Sequence, residues 1–96
     1  MNQAALTGNL VEKKAKRFTP AGIPVIEVRL AHTSEVVEAG LNRTVQFELK
    51  AKAVGEVAER LEKVSLGRNL IMQGFLAPPR LHSTQINFHL TNFELE

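Results

Sequence analysis

The chain has 96 residues, of which 44% are hydrophobic and 23% are charged, and its formal net charge is +2. This composition is typical of one soluble globular domain, which we expect to span residues 1–96, and it gives no indication of disorder. The absence of cysteine excludes thiol chemistry and disulfide bonds, and sites built on aspartate are excluded because all 10 acidic residues are glutamate.

Nothing in the sequence predicts export or a membrane span. No apolar run approaches the roughly 18 residues that a spanning helix needs. The first six residues lack the basic and apolar regions of a signal peptide. Together with the lack of cysteine, these features predict a cytoplasmic protein without a membrane anchor.

Alternation of apolar and polar residues predicts the strands of the N-terminal half. A first strand is expected around Leu6 and Leu10, with Gly8 at a bend. The segment Thr-Pro-Ala-Gly at residues 19–22 fits a type I turn. Residues 25–32 and 44–53 then alternate with a period of two, which is typical of half-buried strands. The polar residues 35–42 between them are predicted to form a loop.

The C-terminal half contains one segment with helical periodicity. Apolar residues recur at i, i+3, i+4, i+7 and i+10 from Val54 to Val64, which predicts a short amphipathic helix. Residues 70–76 and 85–90 are predicted strands, joined by a loop over residues 77–83 that holds two prolines. The alternation changes phase near Asn92, which indicates a bulge or a strand end. Phe47 and Phe88 have the inward phase and are expected in the core, and Phe75, beside Gly74, is expected there too. Ile86 is expected on the same face as Phe88.

Five short strands with a helix between the third and the fourth predict an all-β protein with the OB-fold, a five-stranded Greek-key barrel. Closure of the barrel explains how such short strands are stable, because it leaves few unpaired edges. An SH3-like barrel lacks the helix, and a ferredoxin-like fold needs two helices.

Specific residues carry a resemblance to a known family. The start Asn-Gln-Ala-Ala-Leu-Thr-Gly-Asn-Leu, at residues 2–10, resembles the first strand of bacterial single-stranded-DNA-binding proteins. Residues 17–25, with Pro-Ala-Gly-Ile-Pro, are similar to the primosomal replication protein N (PriB) family, as are residues 30–32, 38–40 and 72–76. The resemblance implies a homodimeric OB-fold that binds single-stranded DNA. It also implies partners in the primosome: a helicase that the protein stimulates, so that the replicative helicase is reloaded at stalled forks.

The chain departs from that family where DNA is expected to lie. Leu41 stands where the family often has an aromatic residue, and Gln46 occupies a second such position. The loop before the last strand is short and has Arg80 where the family tends to carry lysines. Stacking of a base on an aromatic ring is worth roughly 1–3 kcal/mol. Because these rings are missing here, we expect this chain to bind DNA more weakly than other members of the family.

The expected DNA-binding face lies on the second and third predicted strands. Their outward phase carries basic side chains, and further candidates lie before and after these strands. The full set is Arg17, Arg29, Leu41, Arg43, Gln46, Lys50, Lys52 and Arg80. Arginine is suited to this role because its planar group donates to phosphate and stacks on bases. The alternative is that these are solvated charges, some of them paired with Glu27 or Glu48. Arg60, on the polar side of the helix, is expected to take no part.

No catalytic or metal-binding pattern is present. The three histidines have no ligand spacing, and no nucleophile motif or glycine-rich phosphate loop occurs. We therefore expect no enzyme and no cofactor. Two kinds of function stay open: a module that binds single-stranded DNA, and an adaptor that mainly docks the helicase. A generic single-stranded nucleic-acid-binding OB domain is a third possibility.

Overall fold

A computed structural model describes the whole chain, Met1 to Glu96. It contains six strands and one helix: β1 (Ala4–Lys13), β2 (Arg17–Phe18), β3 (Pro24–Glu38), β4 (Leu41–Val54), α1 (Glu56–Glu62), β5 (Asn69–Ala77) and β6 (Asn87–Leu95). No helix has the length and apolar character that crossing a lipid bilayer requires.

The strands close into a barrel. The sheet order is β1-β5-β6-β4-β3-β2, and an additional pairing of β1 with β3 joins the two sides. All neighbours are antiparallel except β4 and β6, which run parallel. The predicted OB-fold is confirmed, with the two-residue β2 as a small addition beside β3.

Strand β1 closes the barrel by pairing with two partners in succession. Its first half pairs with β5 and its second half with β3, and the register shifts between Leu10 and Glu12. Gly8 is buried at this crossing, and a Cβ there would lie 3.0 Å from Cε of Met72 and 3.4 Å from Cβ of Leu30. Gly8 therefore allows close packing, while the irregularity itself lies a few residues further on.

The core fills the barrel and is closed at one end by the helix. The largest fully buried side chains include Phe88, Leu30, Leu70 and Met72. From α1, Val57, Ala58 and Leu61 are buried against them, as the amphipathic pattern predicts. The helix is shorter than expected, because Val54 ends β4 and Gly55, with φ 85°, turns the chain into α1. Lys13 Nζ donates to the carbonyls of Glu62 and Val64 at 2.7 Å, which caps the C-terminal end of the helix.

The predicted loop over residues 35–42 is wrong. Strands β3 and β4 stay paired from Val25–Val54 out to Glu38–Leu41, and only Ala39 and Gly40 form the turn. Their φ angles of 53° and 76° are those of a type I′ hairpin turn. Residues 33–46 thus form a two-stranded extension, here called the hairpin arm. Both of its faces are largely solvated, so its sequence lacks the apolar alternation that marks a strand.

The expectations for these apolar side chains are partly wrong. Phe88 is buried, but Ile86 lies before β6 and is exposed. Phe47 has the inward phase, yet it is 42% exposed because it lies where the hairpin arm leaves the barrel. Phe75 has the outward phase of β5 and is 37% exposed.

The turn and the bulge are found as predicted. The amide of Gly22 donates to the carbonyl of Thr19 at 2.8 Å, which closes the turn. In β6, the register jumps between Leu90 and Asn92, which leaves Thr91 as the extra residue of a bulge.

Candidate nucleic-acid interface

The outward faces of β3 and β4 carry paired rows of charged side chains. Arg29 lies opposite Lys50, and Glu27 lies opposite Lys52. Side chains at directly paired positions share one face of a sheet, so these four groups lie next to each other outside the barrel.

A cleft of about 260 Å³ lies over this face. Arg80, from the connection between β5 and β6, forms part of its wall, as do Lys14 and Asn87. The lining has five cationic and two anionic side chains, a local net charge of +3, whereas the whole chain has +2. The positive charge is therefore concentrated here, which suits a polyanion.

The cations of the cleft differ in how they are paired. Nη1 of Arg29 lies 3.6 Å from Oε2 of Glu12, and Nε of Arg29 lies 3.9 Å from Oε1 of Glu48. Lys14 lies 3.8 Å from Glu27. Lys50, Lys52 and Arg80 make no ion pair. Because exposed ion pairs are worth about 1 kcal/mol or less, even the paired cations can exchange a glutamate for a phosphate.

The structure brings together only part of the predicted site. Arg29, Lys50, Lys52 and Arg80 line the cleft, and Arg17 lies beside it with its guanidinium 3.3 Å from Glu27. The expectation that some of these charges pair with Glu27 or Glu48 is also met.

The other three predicted residues lie on the hairpin arm. Gln46 is opposite Thr33 and shares the outward face of Lys50. Leu41 and Arg43 have the other phase of β4, so their side chains lie on the opposite face of the arm. Arg43 contacts Glu38 at 3.1 Å.

The basic run at residues 13–17 is divided among three tasks. Lys14 lines the cleft and Lys13 caps the helix. Lys16 Nζ binds the carboxylates of Glu59 at 3.0 Å and Glu62 at 3.2 Å. These two contacts raise the pKa of Lys16 and tie the segment after β1 to the helix.

Arg60 has a structural role that the sequence does not indicate. Its guanidinium donates to Asn92 Oδ1 at 3.0 Å and to the carbonyl of Phe93 at 2.9 Å. It also lies over the Phe93 ring, 4.5 Å from the centroid. Arg60 therefore joins α1 to β6, and its removal is not a neutral change of surface charge.

The sequence analysis does not predict two aromatic pairs, each made of an exposed phenylalanine and a partly buried histidine. Phe75 and His89 stack with ring centroids 4.8 Å apart, and His32 and Phe47 stack at the same separation. Burial lowers the pKa of His89, and the positive charge of Lys52 lowers it further. The outward phase of Phe75 opposite His89 could have signalled the first pair, but only if the register of β5 and β6 were known.

No group of three or more histidine or glutamate side chains able to hold a metal ion is present. The polar groups of the cleft are amides and charged side chains, and it contains neither a histidine nor a hydroxyl group.

A five-stranded OB barrel with a cationic outer face is an architecture that suits the binding of single-stranded nucleic acid. The family described as "another single-strand binding protein family" matches residues 2–92. The replication restart protein PriB of Bordetella pertussis is 44% identical over 90 residues, which cover 94% of this chain and 84% of the relative. PriB of Nitrosomonas europaea is 35% identical over 89 residues, which cover 93% and 82%. The chain belongs to the PriB family of replication restart proteins.

Solved structures agree with this assignment. PriB from Ralstonia solanacearum superposes with a TM-score of 0.90 at 34% identity, over 99% of this chain and 97% of that one. The single-stranded DNA binding protein from Thermus aquaticus has a TM-score of 0.78 at 20% identity, over 100% of this chain and 50% of that one. The second likeness shows the shared fold. The resemblance that the sequence motifs indicate is thus confirmed.

Proposed function

We propose that this chain binds single-stranded DNA during replication restart and that its cleft holds the DNA backbone. The observation that carries this proposal is the local charge of +3 in the lining of the cleft over β3 and β4, including three cations without an ion pair. Such groups bind phosphate without first breaking a contact within the protein. Family membership supports the same function, with residues 1–96 acting as one binding domain in the cytoplasm.

Among the predicted residues, we propose different parts for the two locations. Arg29, Lys50, Lys52 and Arg80 contact phosphates in the cleft, with Arg17 at its border. Gln46 extends the same face outward. Leu41 and Arg43, on the other face of the arm, contact DNA only if the strand wraps around the arm. The proposal includes no catalytic step.

We further propose that the protein stimulates the primosomal helicase and thereby helps to reload the replicative helicase.

A specific observation favours a docking role beside DNA binding. The tip of the hairpin arm exposes Val37 by 70% and Leu41 by 72%, and apolar side chains in that position suit contact with a protein. Pull-down of the helicase without DNA, by the wild type and by Leu41→Ser, tests this role. Equal capture by both proteins would contradict docking through the arm.

The DNA proposal is tested by fluorescence anisotropy with single-stranded and duplex oligonucleotides across a salt series. If about three phosphates are neutralised, log Kobs should fall with log salt at a slope near −2 for single strands. A fourfold rise in salt should then weaken binding by roughly 15- to 20-fold. Equal affinity for duplex DNA, or no response to salt, would contradict the proposal.

A further inference from the structure

We propose that the Phe75–His89 pair is a stacking site for a base of the bound single strand, adjoining the phosphate contacts of Lys52. This inference rests on the proposed DNA binding. It adds a second component, base stacking, to an interface whose predicted residues are nearly all charged.

The strand register places the aromatic pair beside the cationic face. Lys52 of β4 lies opposite His89 of β6, and His89 lies opposite Phe75 of β5. Neighbouring strands are about 4.8 Å apart, so the two strand steps from Lys52 to Phe75 span about 10 Å. Because a lysine side chain is long and flexible, a phosphate held by Lys52 and a base on the pair can belong to the same or to adjacent nucleotides.

The two rings stack where β5 and β6 approach each other closely. The two rings are inclined by only 17°, with centroids 4.8 Å apart. A Cβ at Gly74 would overlap the carbonyl oxygen of His89, so only glycine lets β5 approach β6 this closely next to the pair. A rigid aromatic surface loses little entropy when a base binds to it, which favours stacking.

The surroundings of the pair match a nucleotide. A groove of about 290 Å³ is lined by both rings together with Val54, Val57 and Lys52. It thus combines an apolar lining for a base with a cation for a phosphate. The low pKa of His89 keeps its ring neutral near pH 7, so Lys52 supplies the charge and His89 supplies aromatic surface. A peptide would also fit an apolar groove, but the adjoining excess of cations favours a polyanion.

The test uses a single tryptophan as a reporter. The chain has no tryptophan or tyrosine, so Phe75→Trp would contain the only indole. We expect its fluorescence to be quenched on titration with oligothymidylate and restored by high salt. The matched control is Ile71→Trp, at a position on the same strand with the same phase, 43% exposed, but opposite Glu94 rather than a histidine. That variant should respond little.

The second measurement compares normal and abasic oligonucleotides of the same length. Phe75→Ala should weaken binding of the normal strand by about fivefold or more. It should change binding of the abasic strand much less, because no base is left to stack. Equal losses for both strands would contradict the inference.

Wild-type protein provides a test that does not depend on the folding of a variant. A strand that contains bromodeoxyuridine should form a photo-crosslink to the peptide with Phe75 or His89. Crosslinks confined to β3 and β4, or a Phe75→Trp signal that changes only with a protein partner, would overturn the stacking site. If the wild type binds no single-stranded DNA at all, the proposed function fails as well, so the two failures are distinguishable.

Discussion

At the scale of single residues, the position of a charge matters more than the number of charges. The net charge of +2 is small, and long-range attraction of DNA is correspondingly weak. The affinity for DNA should therefore depend on the cations that contact it, such as Lys50, which has no ion pair in the cleft. We expect Lys50→Ala to weaken binding of single-stranded DNA by about 1 kcal/mol and to reduce the salt slope by about 0.7. Arg29→Ala should weaken binding at least as much, because it also leaves Glu12 and Glu48 without their partner. Anisotropy titrations at several salt concentrations measure both quantities.

Arg68→Ala is the matched control for these variants. Arg68 has no side-chain partner and lies in another groove with Phe93 and Leu95, whereas Arg60 holds the helix in place. Arg43→Ala should have a smaller effect than Arg29→Ala, because Arg43 lies on the opposite face of the arm and is paired with Glu38. If Arg68→Ala reduces affinity as much as Lys50→Ala, net charge alone governs binding and the cleft is not the site.

His89 should make the stability of the fold depend on pH. Burial, and then the charge of Lys52, lower the pKa of His89 in the folded protein below its ordinary value of about 6.5. The unfolded chain therefore takes up the proton first as the pH falls. The free energy of unfolding should decrease as the pH falls below about 7, and this contribution should level off once the folded protein is protonated too. Urea denaturation of wild type and His89→Gln across this range measures it. A decrease of the same size in the variant would assign the effect to other groups.

At the scale of elements, contact between β5 and β6 depends on one glycine. A side chain at Gly74 meets backbone atoms of His89, which cannot move aside without breaking the pairing of the two strands. We expect Gly74→Ala to lower the free energy of unfolding by about 1–3 kcal/mol or more, the usual cost of overpacking. The comparison variant is Gly8→Ala, since the nearest atom there is the flexible end of Met72, at 3.0 Å. Urea midpoints should fall much further for Gly74→Ala. Equal losses would mean that burial alone, and not the backbone contact, sets the cost.

At the scale of the whole molecule, the incomplete pairing of β1 leaves part of its edge without a neighbouring strand, although Nδ1 of His32 lies 2.6 Å from the Thr7 carbonyl oxygen. Before Asn9, β1 pairs with β5 only, and β3 has turned away toward the hairpin arm. An exposed edge with unpaired amides and carbonyls favours pairing with another strand, and two copies related by a two-fold axis satisfy both edges at once. We therefore expect a homodimer, with a mass by light scattering of about twice 10.6 kDa. A monomer at tens of micromolar protein would contradict this.

The sequence by itself determined the barrel and the helix that closes it. The alternating segments, the helical repeat and the phase change near Asn92 all depend on neighbours along the chain, and burial inside the barrel enforces them. The PriB resemblance follows from the same segments. The hairpin arm could not be read in this way, because strands solvated on both faces show no apolar alternation and only Gly40 marked the turn.

Only the tertiary structure decided which candidate residues share a site. The register of β3 and β4 brings Arg29 next to Lys50, and the fold adds Lys14 and Arg80 from distant parts of the chain. The same register separates Arg43 from this cleft by placing it on the other face. Side-chain phase indicates on which side of a strand a residue lies, but not which strand lies beside it or where the barrel ends. For that reason the charges of the site were recognised from the sequence, whereas its aromatic pair was not.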